Sequence, residues 1–148
     1  MDYNPNPKPR ANSAFDNVFV NPKAYRYFVR NGTWPDKTLL VLESRMAATT
    51  GSINRSGHFQ STDTNGYEVH VKDLARFPDT HGWAFFEFED SRPGAPGRLF
   101  PRNLPCYSCH EQHGAVDTTF LQFYPTLLPI AKSKQTLSPE YRKHSELK

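Results

Sequence analysis

The residues best able to do chemistry in this chain are Cys106-Tyr107-Ser108-Cys109-His110. Their spacing is C-x-x-C-H, which is the spacing that attaches a c-type haem. Two thiols three positions apart share one turn and can bond the two vinyl groups of a single porphyrin. The imidazole that follows them can then stand under the iron as the proximal ligand. The chain contains two cysteines, so this use leaves none for a disulfide or a separate nucleophile. A thioredoxin-like pair would need the motif to open a helix after a βα unit, and no βαβ alternation precedes it. A zinc site would need two more ligands at short spacing, and only His113 is near. The expected cofactor is one haem c, covalently held by Cys106 and Cys109, with His110 on the metal.

A sixth protein ligand would turn such a site into an electron carrier. Methionine offers only Met1 and Met46. His58, His70 and His81 sit in polar or turn contexts, where an exposed imidazole is the ordinary outcome. His113, three residues after His110, falls on the same helical side. Arg45, Arg98 and Arg102 could pair with haem propionates, and surface solubility explains them equally well.

The elements that must position this motif read as follows. Residues 1–14 are rich in Pro, Asn and charge and form an expected extended arm. A strand runs from Phe15 to Val20. It is followed by Asn21 as N-cap, Pro22 at the first helical position and a short helix Lys23 to Arg30 with Tyr25, Phe28 and Val29 inward. Thr38 to Arg45 is a second strand. Ala47 to Gly66 is polar and reads as a long loop with one aromatic, Phe59. Tyr67 to Lys72 alternates, with Tyr67, Val69 and Val71 on one face and Glu68, His70 and Lys72 on a polar, solvated one. Trp83 to Phe88 is apolar on both faces, as a central strand would be. After the motif, Asp117 is set to cap a helix from Thr118 to Phe123, and Leu127 to Ala131 makes a separate turn. The tail 132–148 is polar and expected to be loosely held. The fold class is therefore β-rich α+β, a curved antiparallel sheet of four or more strands with short helices and a C-terminal haem-attachment helix that comes last. Residues 15–131 form the haem c-binding domain.

Bulk properties narrow the function. Aromatics make up 14% of the residues, with eleven Phe and seven Tyr, which suits strands and the walls of a haem pocket. Thirteen prolines argue against a helical bundle. The formal charge of +3 would approach neutrality with two haem propionates. No Lys/Arg run is present, so neither nucleic acid nor a membrane surface is an expected partner. No stretch has the length of a membrane span, and no signal-peptide h-region follows Met1. Bacterial haem c is attached outside the cytoplasm, so a periplasmic protein with its export signal removed is expected.

With these pieces in order, the chain resembles the haem-c proteins grouped as cytochrome P-460 and cytochrome c′-beta. The matching stretches are VFVNPKAY (18–25), PDKT (35–38), VKD (71–73), RFP (76–78), GWAFFEF (82–88) and CYSCHEQHGAVDTTFLQFYP (106–125). The resemblance implies a periplasmic homodimer whose five-coordinate haem has an open distal side. P-460 members oxidise hydroxylamine and link a lysine of the second strand to the porphyrin. Here Leu42 stands at that position, which puts the chain on the c′-beta side. Members on that side bind nitric oxide or similar small ligands beneath apolar side chains. Leu42 and Phe59 are the expected apolar distal wall. Glu68 falls where some hydroxylamine oxidisers carry a distal carboxylate, giving it an expected catalytic role as proton acceptor. A nitric-oxide-binding cytochrome, a hydroxylamine or nitric oxide oxidoreductase and an electron-transfer cytochrome with a redox partner protein are the readings left open.

Overall fold

The computed structural model describes residues 14–48, 58–88, 92 and 94–145. Five strands form one antiparallel sheet in chain order: β1 (Ala14–Val20), β2 (Leu39–Ala48), β3 (Phe59–Lys72), β4 (Trp83–Phe88) and β5 (Arg98–Leu99). Helix α1 (Pro22–Asn31) joins β1 to β2, and α2 (Pro105–His113), α3 (Leu128–Ser133) and α4 (Pro139–Ser145) follow the sheet. The β-rich α+β class is as expected, but the motif helix is not the last: two short helices come after it.

Proline and glycine set the limits of α1. Pro22 opens it, and Gly32 closes it at φ 77°, where glycine meets no steric penalty, with its N–H on the Phe28 carbonyl at 2.7 Å. Asn21 does not cap the helix with its side chain. Its Oδ1 instead accepts from the Leu39 amide at 2.9 Å, tying the helix entrance to β2. The buried pair is Ala24 and Phe28, one turn apart, whereas Tyr25 and Val29 are largely exposed. Phe28 packs against Trp34 with tilted rings, centroids 4.3 Å apart. Together with Trp83, Val116 and Leu121 they form the core between sheet and helices.

The register decides which strand residues see that core. Val18, Leu42, Glu68 and Glu87 align across four strands, as do Val20, Leu40, His70 and Phe85. Side chains alternate with period two, so both rows lie on one face, the one the helices cover. The other face carries Phe19, Val41, Val71 and Phe86. The expectation of a solvated Glu68–His70–Lys72 face is thus corrected for His70 and Lys72, whereas Glu68 is exposed as expected. His70 is 8% exposed and the Lys72 side chain 12%, because these polar groups serve a cavity and an ion pair inside the fold.

Three further expectations change. The stretch 47–66 is not a loop: β2 continues to Ala48 and β3 begins at Phe59, with residues 49–57 outside the described set. From Phe59 to Gly66, β3 is paired with β2 but not with β4, so much of this arm is exposed on both faces and the alternation disappears. No helix starts at Thr118. Val116 and Thr119 form a bridge around Asp117 and Thr118, at φ 48° and 59°, and only a single 3-10 turn follows at Leu121–Phe123. The tail is also anchored, Ser138 N–H donating to Ala115 O at 2.8 Å and Thr136 Oγ1 to Gly32 O at 2.6 Å.

Candidate functional site

Helix α2 starts at Pro105, whose missing N–H costs nothing at the first helical position. Tyr107 latches it to the sheet: its hydroxyl donates to Phe100 O at 3.2 Å and accepts from the Phe85 amide at 3.4 Å. Cys106 and Cys109 are free thiols one turn apart, the first half-buried and the second exposed. Burial pushes the Cys106 thiol up, with smaller contributions in the same direction from the charges of Glu68 and Cys109.

His110 projects into a nest of rings: Phe120 at 4.3 Å between centroids, Phe85 at 4.7 Å and His70 at 5.2 Å. Its Nδ1 lies 2.7 Å from the Thr118 carbonyl. A carbonyl can only accept, so the proton sits on Nδ1 and Nε2 keeps its lone pair. Burial lowers the pKa of His110, opposed by the Thr118 bond, and the neutral imidazole with a free Nε2 is the form that ligates a metal.

His110 lines a cavity of about 540 Å³. The sheet contributes Val18, Val20, Leu40, Leu42, Glu68, His70 and Phe85, and the chain after α2 contributes Phe120, Leu121, Phe123, Tyr124 and Leu127. The size falls within the roughly 300–1,000 Å³ usual for ligand and cofactor sites, and aliphatic and aromatic walls with few polar groups are their ordinary lining. Two carboxylates share the cavity, Asp16 and Glu68. Burial raises the Glu68 carboxyl above the usual range, with Glu87 and Asp16 acting in the same direction. His70 is stacked face to face on Phe85 at 4.0 Å, and its Nε2 is buried without a hydrogen-bond partner among the described residues. Burial, then the neighbouring His110, holds its pKa well below the ordinary histidine value, so it is a neutral wall element. A large apolar cavity, a metal-competent imidazole and two thiols on the adjoining helix fit a haem.

Of the residues singled out by sequence, Leu42, Glu68, His70 and His110 meet at this cavity. Phe59 does not line it; the ring begins β3 opposite Ala48 and is 40% exposed. His81 and Arg102 border a smaller cleft of about 150 Å³ that also touches His110. Arg45 pairs with Glu43 at 2.8 Å on the outer face of the sheet, and Arg98 pairs with Glu87. His58 is exposed just before β3, and Met46 pairs with Ala14 on β1. Asp16, Tyr124 and the aromatic series Phe120 and Phe123 escaped the sequence reading as cavity residues. The FLQFYP run carried their signal, since its aromatics needed a surface to pack on. The Thr118 carbonyl left no trace in residue type at all.

A family profile described as Cytochrome P460 matches residues 3–121 of this chain. A search of curated proteins finds no match.

Proposed function

Since the chain belongs to the cytochrome P460 family and is therefore a haem-binding cytochrome, we propose that it carries one haem c held by Cys106 and Cys109, with His110 Nε2 as proximal ligand, and binds nitric oxide or a similar small ligand. The observation that carries this reading is the His110–Thr118 hydrogen bond, which reserves Nε2 for a metal at the edge of the large apolar cavity. When bound, haem supplies a redox-active iron with a coordination position open to a small ligand. The chain's own residues do the rest. The thiols would fix the group to α2, His110 would supply a neutral donor, and Val18, Leu42 and Phe123 would present it with an apolar wall. An apolar wall gives bound oxygen little polar stabilisation and affects nitric oxide and carbon monoxide less.

Glu68 favours a second reading, oxidation of a nitrogenous substrate such as hydroxylamine. A carboxyl with a raised pKa in the cavity wall is suited to accepting a proton. Leu42, which cannot form an amine link to a porphyrin, counts against the P-460 form of that chemistry. The same proposal assigns residues 15–131 to the haem domain, the protein to the periplasm, and a redox protein as its electron partner. A homodimer is in keeping with the exposed Phe19, Leu39 and Leu99 on the outer face of the sheet. No helix among the described residues is long and apolar enough to cross a membrane.

The test is the absorption spectrum of the reduced holoprotein before and after nitric oxide or carbon monoxide. A high-spin c-type spectrum that shifts with the gas supports the five-coordinate reading. A strongly red-shifted Soret band means a cross-linked porphyrin and an oxidase. A low-spin spectrum indifferent to gas means an electron carrier. Covalent attachment is read separately: haem should stay with the chain on a denaturing gel and be lost from the Cys106→Ser, Cys109→Ser double variant.

A further inference from the structure

The carbonyl that meets His110 Nδ1 belongs to a turn the chain does not adopt for its own sake. Asp117 and Thr118 are the two central residues between the bridged Val116 and Thr119, and both have positive φ, 48° and 59°. A two-residue turn of this kind requires the left-handed region twice and is ordinarily made by Asn and Gly. Threonine, branched at Cβ, is among the residues that tolerate it least. Such strain persists only where surrounding contacts over-determine it.

Those contacts converge on Asp117. Its Oδ2 accepts from the Trp34 amide at 3.0 Å and from Lys72 Nζ at 3.2 Å. Lys72 Nζ donates in addition to Trp34 O at 2.7 Å and stands 5.4 Å from the centre of the Trp83 ring. The ammonium therefore ties the turn to the β3 end of the sheet and to the segment before β2. On the other side of the turn, Thr119 Oγ1 accepts from Trp34 Nε1 at 3.0 Å. Gly114 lets the turn approach α2: a Cβ there would lie 2.6 Å from His110 O and 2.7 Å from the Thr118 carbonyl carbon. The net effect of these contacts is to aim the Thr118 carbonyl at Nδ1.

We infer that Lys72 and Asp117 are positioning residues for His110: their ion pair holds the left-handed turn that delivers the Thr118 carbonyl to Nδ1, and so sets how strongly the imidazole donates to iron. Partners on the second nitrogen of a ligating histidine fix its tautomer and raise its basicity. Neither residue touches the metal. The inference rests on His110 being the proximal ligand.

The experiment uses the full haem-loaded protein and two readouts, the iron–histidine stretching band of the ferrous state by resonance Raman and the midpoint potential. The variants are Lys72→Met, Asp117→Asn and the conservative Lys72→Arg. Loosening the Nδ1 bond weakens donation to iron, so Lys72→Met and Asp117→Asn should both lower the band frequency and both raise the potential, while Lys72→Arg restores the wild-type values. Direct charge effects would push the potential in opposite directions, down on loss of the cation and up on loss of the anion. Opposed shifts, or an unmoved band in a folded variant, overturn the inference. Should Lys72→Met fail to load haem, Asp117→Asn decides alone by its band, because Asn still accepts from the Trp34 amide. A wild-type protein with no iron–histidine band would instead overturn His110 as ligand, a failure of the premise visible before any variant is made.

Discussion

Replacing Gly114 by alanine tests the close approach of α2 to the turn after it. Gly114 has φ −67° and ψ 128°, a conformation open to any residue, so the substitution carries no backbone penalty of its own. Its effect is purely steric. The new Cβ would sit 2.6 Å from His110 O, 2.7 Å from the Thr118 carbonyl carbon and 2.8 Å from its Cα, all backbone atoms with no rotamer to move. Reaching ordinary contact near 3.4 Å demands a retreat of about 0.6–0.8 Å at each. The methyl group intrudes between the helix end and Thr118, so relief drives the two apart. A displacement of that size opens the 2.7 Å His110–Thr118 bond past the roughly 3.2 Å limit of an N–H···O contact. Overpacking costs about 1–3 kcal/mol and the lost hydrogen bond about 0.5–1.5 kcal/mol, together about 1.5–4.5 kcal/mol. At about 2–4 °C per kcal/mol for a chain of this length, Tm should fall by roughly 3–18 °C. Differential scanning calorimetry measures it. Gly94→Ala is the matched comparison: that residue is at φ 85° with nothing within 4 Å of a built Cβ, so it should lose only the left-handed penalty of about 1–2 kcal/mol. A Gly114→Ala protein that melts within about 2 °C of wild type would refute the steric reasoning.

Phe28→Ala removes a fully buried ring packed against Trp34 and should cost about 3–5 kcal/mol in urea unfolding. Lys37 lies 2.6 Å from Asp73, and its hydrogen bond, opposed by burial, holds that carboxyl below its ordinary 3.8. The unfolded state binds this proton first, so the stabilisation is present above pH 3.8 and fades as the pH falls through the folded value. Lys37→Met should therefore lower Tm at neutral pH, with the gap closing in stronger acid; a gap indifferent to pH would exclude the pair as its source. Glu68 has the opposite sign. Its raised pKa means the folded state holds the proton longer, so stability drops as pH rises through the folded value. Glu68→Gln should melt higher than wild type above that value and equal to it below the ordinary 4.5, as read by thermal melts across pH.

The site was legible wherever residue type dictates chemistry and hidden wherever geometry does. Cys106, Cys109 and His110 stand out by spacing, and the alternation of residues 67–72 located the C-terminal part of β3. The same alternation misled about which face was inside. Glu68, His70 and Lys72 look solvated on a hydropathy pattern. Glu68 is solvent-exposed while it lines the cavity, but the fold buries the other two, an imidazole to stack on Phe85 and a cation for Asp117. Where an interior holds a cofactor cavity, the polar face of a strand can be the buried one, and Val71 and Phe86 are left for the outer face. Phe59 was reasoned inward because it was the lone aromatic of a presumed loop. It belongs to a two-stranded arm with little to bury against. Asp117 has the residue type of a helix cap and makes a left-handed turn, because Trp34 and Lys72, distant in sequence, compete for its carboxylate.

That last feature also sets an order in time. Asp117 is 83 residues from Trp34 and 45 from Lys72, so the turn beneath His110 closes two of the long loops of the chain. Loop-closure entropy makes such contacts late ones. Helix α2 is local, closed by hydrogen bonds four residues apart, and can form before either loop closes. The thiols of Cys106 and Cys109 can thus be displayed on a helical turn while the cavity wall behind them is still open. If haem is attached through these thiols as proposed, this sequence of events lets the bulky planar group be joined before the walls that must enclose it have come together.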